Sequence, residues 1–208
     1  MRLIIIRHGE VSWSEASDDD PPLSPAGQEQ ARRLGDRFRT QTVHRLYCSP
    51  MVRARQTAAC VSDGLGLAPV ALPWLREIRC PLLTDEEVVR MEARPLSQWG
   101  EGFPGGETFE AFRERVATGA DDFLSRLGVR LGKCAEGASS GPDERVCLVC
   151  HAGVTAVLVA HLTGAQHVPW EWYRFGMGFT GVTHLRIRPL GDAVIATLTL
   201  FNCRRHLE

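Results

Sequence analysis

Six short apolar runs alternate with stretches of helical periodicity along this chain. Leu3–Ile6, flanked by Arg2 and Arg7, has the length and β-branched content of a buried strand. Arg45–Cys48, Pro69–Leu72 and Arg145–Cys150 are further strand candidates, and Val182–Arg188 and Val194–Phe201 form a pair joined by a Pro-Leu-Gly-Asp turn. Between them, Gly27, Ala31, Leu34 and Phe38 fall on one helical stripe, as do Ala54, Ala58, Val61 and Leu65. Ser24-Pro25 and Ser49-Pro50 precede these two stripes and predict the same opening, serine as N-cap and proline in the first turn. Residues 84–94 read as a helix, Phe109, Phe112, Val116, Ala120, Phe123 and Leu127 mark a longer one, and another runs from about Gly153 to Thr163.

Strands alternating with helices predict an α/β fold: a three-layer sandwich with a mostly parallel central sheet, helices on both faces and a C-terminal edge hairpin. At 208 residues, one domain spanning 1–208 is expected. Val11–Leu23, with Asp18-Asp19-Asp20-Pro21-Pro22, reads as a loop with a solvated acidic tip placed to wall a pocket. Gly132–Glu144 reads as a surface linker, and Trp99–Gly106 as a glycine-rich loop able to reach over a pocket.

Chemistry collects where strands end. Leu3–Ile6 breaks off into Arg7-His8-Gly9, and Val146–Cys150 into His151-Ala152-Gly153. Leu46–Cys48 runs into Ser49-Pro50, with Arg53 one turn on. In open α/β sheets ligands bind at the carboxyl ends of strands. Two arginines and two histidines delivered there suggest an anion site containing a nucleophile, with Gly9 letting backbone approach the ligand. Side chains on a helix lean toward its amino end, so Arg53 leans back to the strand it follows, where the helix terminus adds partial positive charge. Glu77 follows an apolar stretch between Arg76 and Arg79, where a surface ion pair is the ordinary fate of a glutamate.

Charge narrows the partners. With 24 basic and 25 acidic residues the net charge is −1, which gives no case for nucleic acid or an anionic membrane and leaves room for a small anion. No stretch approaches a membrane span, and no signal segment is evident at the amino terminus. Seven cysteines, several in apolar runs, read as reduced thiols of a cytoplasmic protein. Cys147-Leu148-Val149-Cys150-His151 has the spacing of a c-type haem attachment, but three residues apart on a strand the two thiols face opposite sides, so both are taken as core. No metal or cofactor is expected: the arginines supply the positive charge.

These motifs resemble those of the histidine phosphatase superfamily, the phosphoglycerate mutase-like family. Arg7-His8-Gly9-Glu10 is similar to its nucleophile motif, and Leu23-Ser24-Pro25-Ala26-Gly27-Gln28 to its "LTxxG" segment. Ser49–Ala58 matches "SPxxRAxxTA" closely. Leu75-Arg76-Glu77 resembles the acid-carrying segment, Gly105–Thr108 the opening of the long helix, His151-Ala152-Gly153 the second histidine motif, and Phe201-Asn202 with His206-Leu207 the tail. Where the family often has Thr and Asn after the first motif, this chain has Val11 and Ser14.

The resemblance implies a histidine acid phosphatase-type phosphomonoesterase working through a phosphohistidine. His8 would be the nucleophile; Arg7, Arg53 and His151 would hold phosphoryl oxygens, with Ser14 and Ala152 as further substrate contacts. Glu77 would protonate the leaving oxygen and then activate water, with Glu10, Glu101 and Glu107 as the other carboxylates near these motifs. The expected partner is a small phosphomonoester, and a homodimer is compatible with the sequence. Alternatives are a cofactor-dependent phosphoglycerate mutase-type phosphotransferase, an alpha-ribazole phosphatase, and a non-catalytic phosphoryl-binding module. The segment between Glu77 and Gly105 is short and lacks a dense basic block, which favours hydrolysis over a mutase needing a sealed site.

Overall fold

The computed structural model describes residues 1–13, 20–81, 83–133 and 144–208. Its strands are β1 (Arg2–Arg7), β2 (Arg45–Cys48), β3 (Val70–Ala71), β4 (Gly132–Lys133), β5 (Arg145–Cys150), β6 (Val182–Leu190) and β7 (Ala193–Cys203). They form one sheet in the order β3-β2-β5-β1-β6-β7-β4. The sheet is mixed. β3, β2, β5 and β1 run parallel, and β6, β7 and β4 add antiparallel neighbours beyond β1.

Alternation along the central strands feeds two cores. Leu3, Ile5, Val146, Leu148 and Cys150 pack with α4 (Phe109–Arg126) and α5 (Ala152–Thr163). Ile4, Ile6, Cys147 and Val149 pack on the other face with α1 (Pro25–Phe38) and α2 (Val52–Leu65). Period-two burial on both faces is what a strand covered by helices on each side requires. Cys147 and Cys150 fall in opposite cores, as their spacing predicts, and the cysteines among the described residues are free thiols. α5 is apolar nearly all round, and nine of its twelve residues are buried. No helix among the described residues is long and apolar enough to cross a membrane.

Several local expectations change. Ser24 caps α1 as predicted, accepting from Gly27 N–H at 3.0 Å, a bond worth about 1 kcal/mol at a helix start. Ser49-Pro50 does not repeat the device: α2 starts at Val52 behind Met51, which makes no side-chain cap. The hairpin turn is tighter than Pro-Leu-Gly-Asp. Pro189 and Leu190 pair with Val194 and Ala193, leaving Gly191-Asp192 as the turn with Gly191 at φ +59°. Pro189 lies past the last residue paired with β1, so its missing N–H breaks no ladder on that side. The linker contains β4, whose Gly132 and Lys133 pair with Val194 and Ala193; its residues 134–143 lie outside the described residues. Gly9 has a packing role. A Cβ there would sit 2.6 Å from Gly27 O, so the β1 end and α1 touch backbone to backbone.

The segment over the sheet's carboxyl edge carries α3 (Asp85–Glu92), which has no buried residue. An eight-residue helix is marginal alone. A capping box between Thr84 and Glu87 closes its start, and Tyr173 of α6 (Glu171–Arg174) donates to Glu92 at 2.5 Å near its end. The predicted glycine-rich loop begins as a 3₁₀ turn over Leu96–Glu101, and Trp99 and Phe103 pack against Trp172 of α6.

Candidate active site

Three parallel neighbours bring the predicted residues to one edge. β1 and β5 stay in register to Arg7↔Cys150, and β2 follows β5 to Cys48↔Val149. The ladder continues one step: His8 N–H donates to Cys150 O at 2.9 Å, and Ser49 N–H to Val149 O at 2.9 Å. His8, His151 and Ser49 therefore leave the sheet side by side. The two imidazole centroids are 5.1 Å apart at 61°, and both residues are buried.

His8 Nδ1 lies 2.7 Å from Gly9 O. A carbonyl only accepts, so Nδ1 carries the proton and Nε2 keeps the lone pair that a nucleophile needs. Burial, reinforced by the Arg53 and Arg7 guanidinium groups and opposed by the Gly9 carbonyl, holds the His8 pKa well below its ordinary value. The ring is neutral at physiological pH.

His151 Nε2 lies 2.8 Å from Ser49 Oγ, which also accepts from Met51 N–H at 3.3 Å. Oγ has a second acceptor lone pair, so it can give its proton to Nε2, which leaves the N–H on His151 Nδ1, or accept from Nε2–H. That Nδ1 is buried without a partner among the described residues. Burial, the neighbouring His8 and the two arginines keep this ring neutral too.

Arg7 is positioned by the loop before β6. Its guanidinium donates to Met177 O, lies 4.1 Å over the Phe179 ring, and leaves Nε buried without a partner. Burial lowers its pKa against the raising pull of Glu77, but a guanidinium stays charged in proteins. Arg53, in the first turn of α2 and buried, donates to Asp20 at 3.3 Å. Asp20 also accepts from Val52 N–H at 2.9 Å. The third aspartate of the acidic run thus caps α2 rather than standing in solvent; Asp18, Asp19 and the predicted contact Ser14 lie outside the described residues.

Glu77 reaches the same place from the segment after β3. Its Oε2 accepts from Gly153 N–H at 3.0 Å and its Oε1 from Ile78 N–H at 3.1 Å, so it is no surface partner of Arg76 or Arg79. A Cβ on Gly153 would lie 2.5 Å from Oε1, which explains a glycine beside Ala152 at the start of α5. Burial raises the carboxyl pKa over the opposing pull of Gly153 N–H, Ile78 N–H, Arg53 and Arg7. The rival carboxylates are committed elsewhere or exposed. Glu107 pairs with Arg115 at 2.8 Å, Glu10 accepts from Ser24 at 2.8 Å, and Glu101 faces solvent.

The arrangement joins a neutral imidazole with a free lone pair, two cationic forks, a second imidazole and a carboxyl group of raised pKa. Such a set can accept, transfer and release a tetrahedral anion. Sequence reasoning missed Ser49 as the partner of His151, Asp20 as that of Arg53, and Phe179 beneath Arg7. An N-cap signature hid the first, and the other two come from sequence-distant loops with no motif. No group of three or more His, Cys, Asp or Glu among the described residues is placed to hold a metal ion.

The sequence model of the histidine phosphatase superfamily (branch 1) matches residues 3–198. An adenosylcobalamin/alpha-ribazole phosphatase of Salmonella typhi is 30% identical over 174 residues, 78% of this chain and 79% of that one. A probable phosphoglycerate mutase of Erwinia tasmaniensis is 26% identical over 169 residues, 79% and 75% of the two chains. Among solved structures, the alpha-ribazole phosphatase from Shigella flexneri superposes with a TM-score of 0.73 at 25% identity, covering 98% of this chain and 97% of that one. A mycobacterial glucosyl-3-phosphoglycerate phosphatase superposes at 0.77 with 23% identity, covering 97% and 99%, a likeness of fold. With nearly its whole length matched, the chain belongs to the histidine phosphatase superfamily.

Proposed function

We propose that this protein hydrolyses small phosphomonoesters through a phosphohistidine. The carrying observation is that two buried nitrogens without partners among the described residues, Arg7 Nε and His151 Nδ1, flank an imidazole whose Nε2 is free to attack. In the first step His8 Nε2 forms a bond to phosphorus as the ester P–O bond breaks. Arg7, Arg53 and His151 hold the equatorial oxygens, and the α5 amino terminus at Ala152 adds its partial positive charge. Glu77, protonated, gives its proton to the leaving oxygen. In the second step the Glu77 carboxylate takes a proton from water, which attacks phosphorus and frees His8.

Opposed shifts support the acid-phosphatase type. Burial lowers the His8 pKa and raises that of Glu77, the directions that favour a free base beside a protonated acid. Hydrolysis is favoured over mutation because α3, in the covering segment, buries no residue, whereas a mutase must keep water from its intermediate. The test is a phosphomonoester panel including alpha-ribazole phosphate and glucosyl-3-phosphoglycerate, with isomerisation of phosphoglycerate measured in parallel. Phosphate release lost in His8→Ala, with no isomerisation, is expected. Isomerisation exceeding release points to the mutase, and phosphate binding without any turnover to the binding module.

A further inference from the structure

We propose that Thr180 and His206 are positioning residues for His8 and Arg7, tying the carboxyl-terminal tail to the reacting end of β1 through a directed line of hydrogen bonds. This rests on the phosphotransfer reading of the site.

The loop 177–181 grips β1 at every exit. Met177 O and the Phe179 ring hold the Arg7 side chain, and Gly181 O accepts from Arg7 N–H at 3.1 Å. The Phe179 ring lies 5.8 Å from that of His8, and Thr180 N–H donates to His8 O at 3.1 Å. To make that last bond Thr180 takes φ +54°, a left-handed conformation unfavourable for a β-branched residue. Such strain persists only where surroundings over-determine it, and it concentrates at functional sites.

The tail supplies those surroundings. Thr180 Oγ1 donates to Phe179 O at 2.8 Å, so toward His206 Nε2, 3.0 Å away, it accepts. His206 Nε2 then carries the proton and Nδ1 accepts. Arg37 of α1, a group that can only donate, lies 3.5 Å from Nδ1. Donation therefore runs one way, from Arg37 through His206 and Thr180 to Phe179 O. Burial, with Arg37, Arg204 and Arg33 nearby, holds the His206 pKa at about 4, so the ring is neutral as this line requires. A second strap stands beside it: Asn202, at φ +51°, accepts from Gly178 N–H at 3.0 Å, and a Cβ on Gly181 would lie 2.3 Å from its Oδ1. The loop cannot shift without breaking one strap or the other.

The experiment compares Thr180→Gly, His206→Ala and His206→Gln with the wild type. Glycine adopts φ +54° freely, so Thr180→Gly removes the hydroxyl while relieving backbone strain. Its melting temperature should equal or exceed that of the wild type. Both Thr180→Gly and His206→Ala should lower kcat about 10-fold with KM within about twofold, the signature of a misplaced reacting group. His206→Gln, whose amide N–H can donate to Thr180, should recover most of the loss. Wild-type kcat in Thr180→Gly, or equal rates in His206→Ala and His206→Gln, overturns the proposal. The ring nitrogen resonances of His8 and His151 separate this from the functional reading. If the wild type turns over no phosphomonoester, that reading fails, yet Thr180→Gly should still shift these resonances, and unchanged resonances reject the positioning role.

Discussion

The carboxylate of Glu77 is fastened to the backbone N–H of Gly153 at 3.0 Å, two residues past His151. The group proposed to protonate the leaving oxygen is thus held by the helix that follows the second histidine. A methyl group at 153 would lie 2.5 Å from Oε1, and the longer, flexible glutamate side chain would be what moves. Gly153→Ala should therefore fold normally and lose about 10- to 100-fold in kcat on alkyl phosphates, with a much smaller loss on nitrophenyl phosphate, whose leaving group needs no proton. Equal losses on both substrates count against the proton-donor role.

The pH profile should be bell-shaped, with His8 setting its acid limb and Glu77 its alkaline limb. His8 must be deprotonated to attack, and because its pKa is lowered the rate rises with pH through a value well below 6.5. Glu77 must be protonated, and because its pKa is raised the rate falls with pH through a value above 4.5. Glu77→Gln, assayed on an alkyl phosphate for the transfer step, should lose the alkaline limb together with most of the rate. Retention of that limb assigns it to another group.

Asp20 should compete with substrate for Arg53. Its carboxylate lies 3.3 Å from the guanidinium and accepts from Val52 N–H, so part of the charge proposed to hold a phosphoryl group is already balanced. Asp20→Asn keeps an acceptor for the α2 cap and removes the negative charge. KM and the inhibition constant of inorganic phosphate should both fall several-fold, and a rise in either refutes the competition.

Ser49 orients the His151 ring. Without its hydroxyl, Nε2 loses its hydrogen-bond partner at 2.8 Å and neither ring nitrogen is held in one protonation state. Ser49→Ala should cost about 10-fold in kcat while Ser49→Thr retains most activity, measured on nitrophenyl phosphate. The residue is fully buried and small, so thermal melts should show only a modest loss.

Much of this site could be read before any coordinates. Strands that end in Arg-His-Gly and His-Ala-Gly announce themselves because an apolar run stops abruptly at charged side chains, and parallel neighbours must end at the same edge. Arg53 was legible because helical side chains lean toward the amino end. What stayed hidden came from contacts between distant segments. Nothing in Ser49-Pro50 separates a helix cap from a partner for His151, since both uses want a hydroxyl beside a proline. Gly132-Lys133 carries no strand pattern, and its pairing depends on an edge that β7 offers. Gly9 looked like a ligand glycine; its contact with Gly27 is one that local sequence cannot reveal. Met177 O and Phe179 hold Arg7 from 170 and 172 residues away.

The groups proposed to handle phosphorus and the group proposed to handle the departing oxygen stand on different foundations. His8 and His151 issue from strands buried in the middle of the sheet, whereas Glu77 belongs to a stretch leading into an exposed helix. The stretch Asp85–Glu92 could therefore be varied without touching the strand ends beneath. A laboratory seeking new substrate preferences should diversify that stretch and leave the strand ends alone.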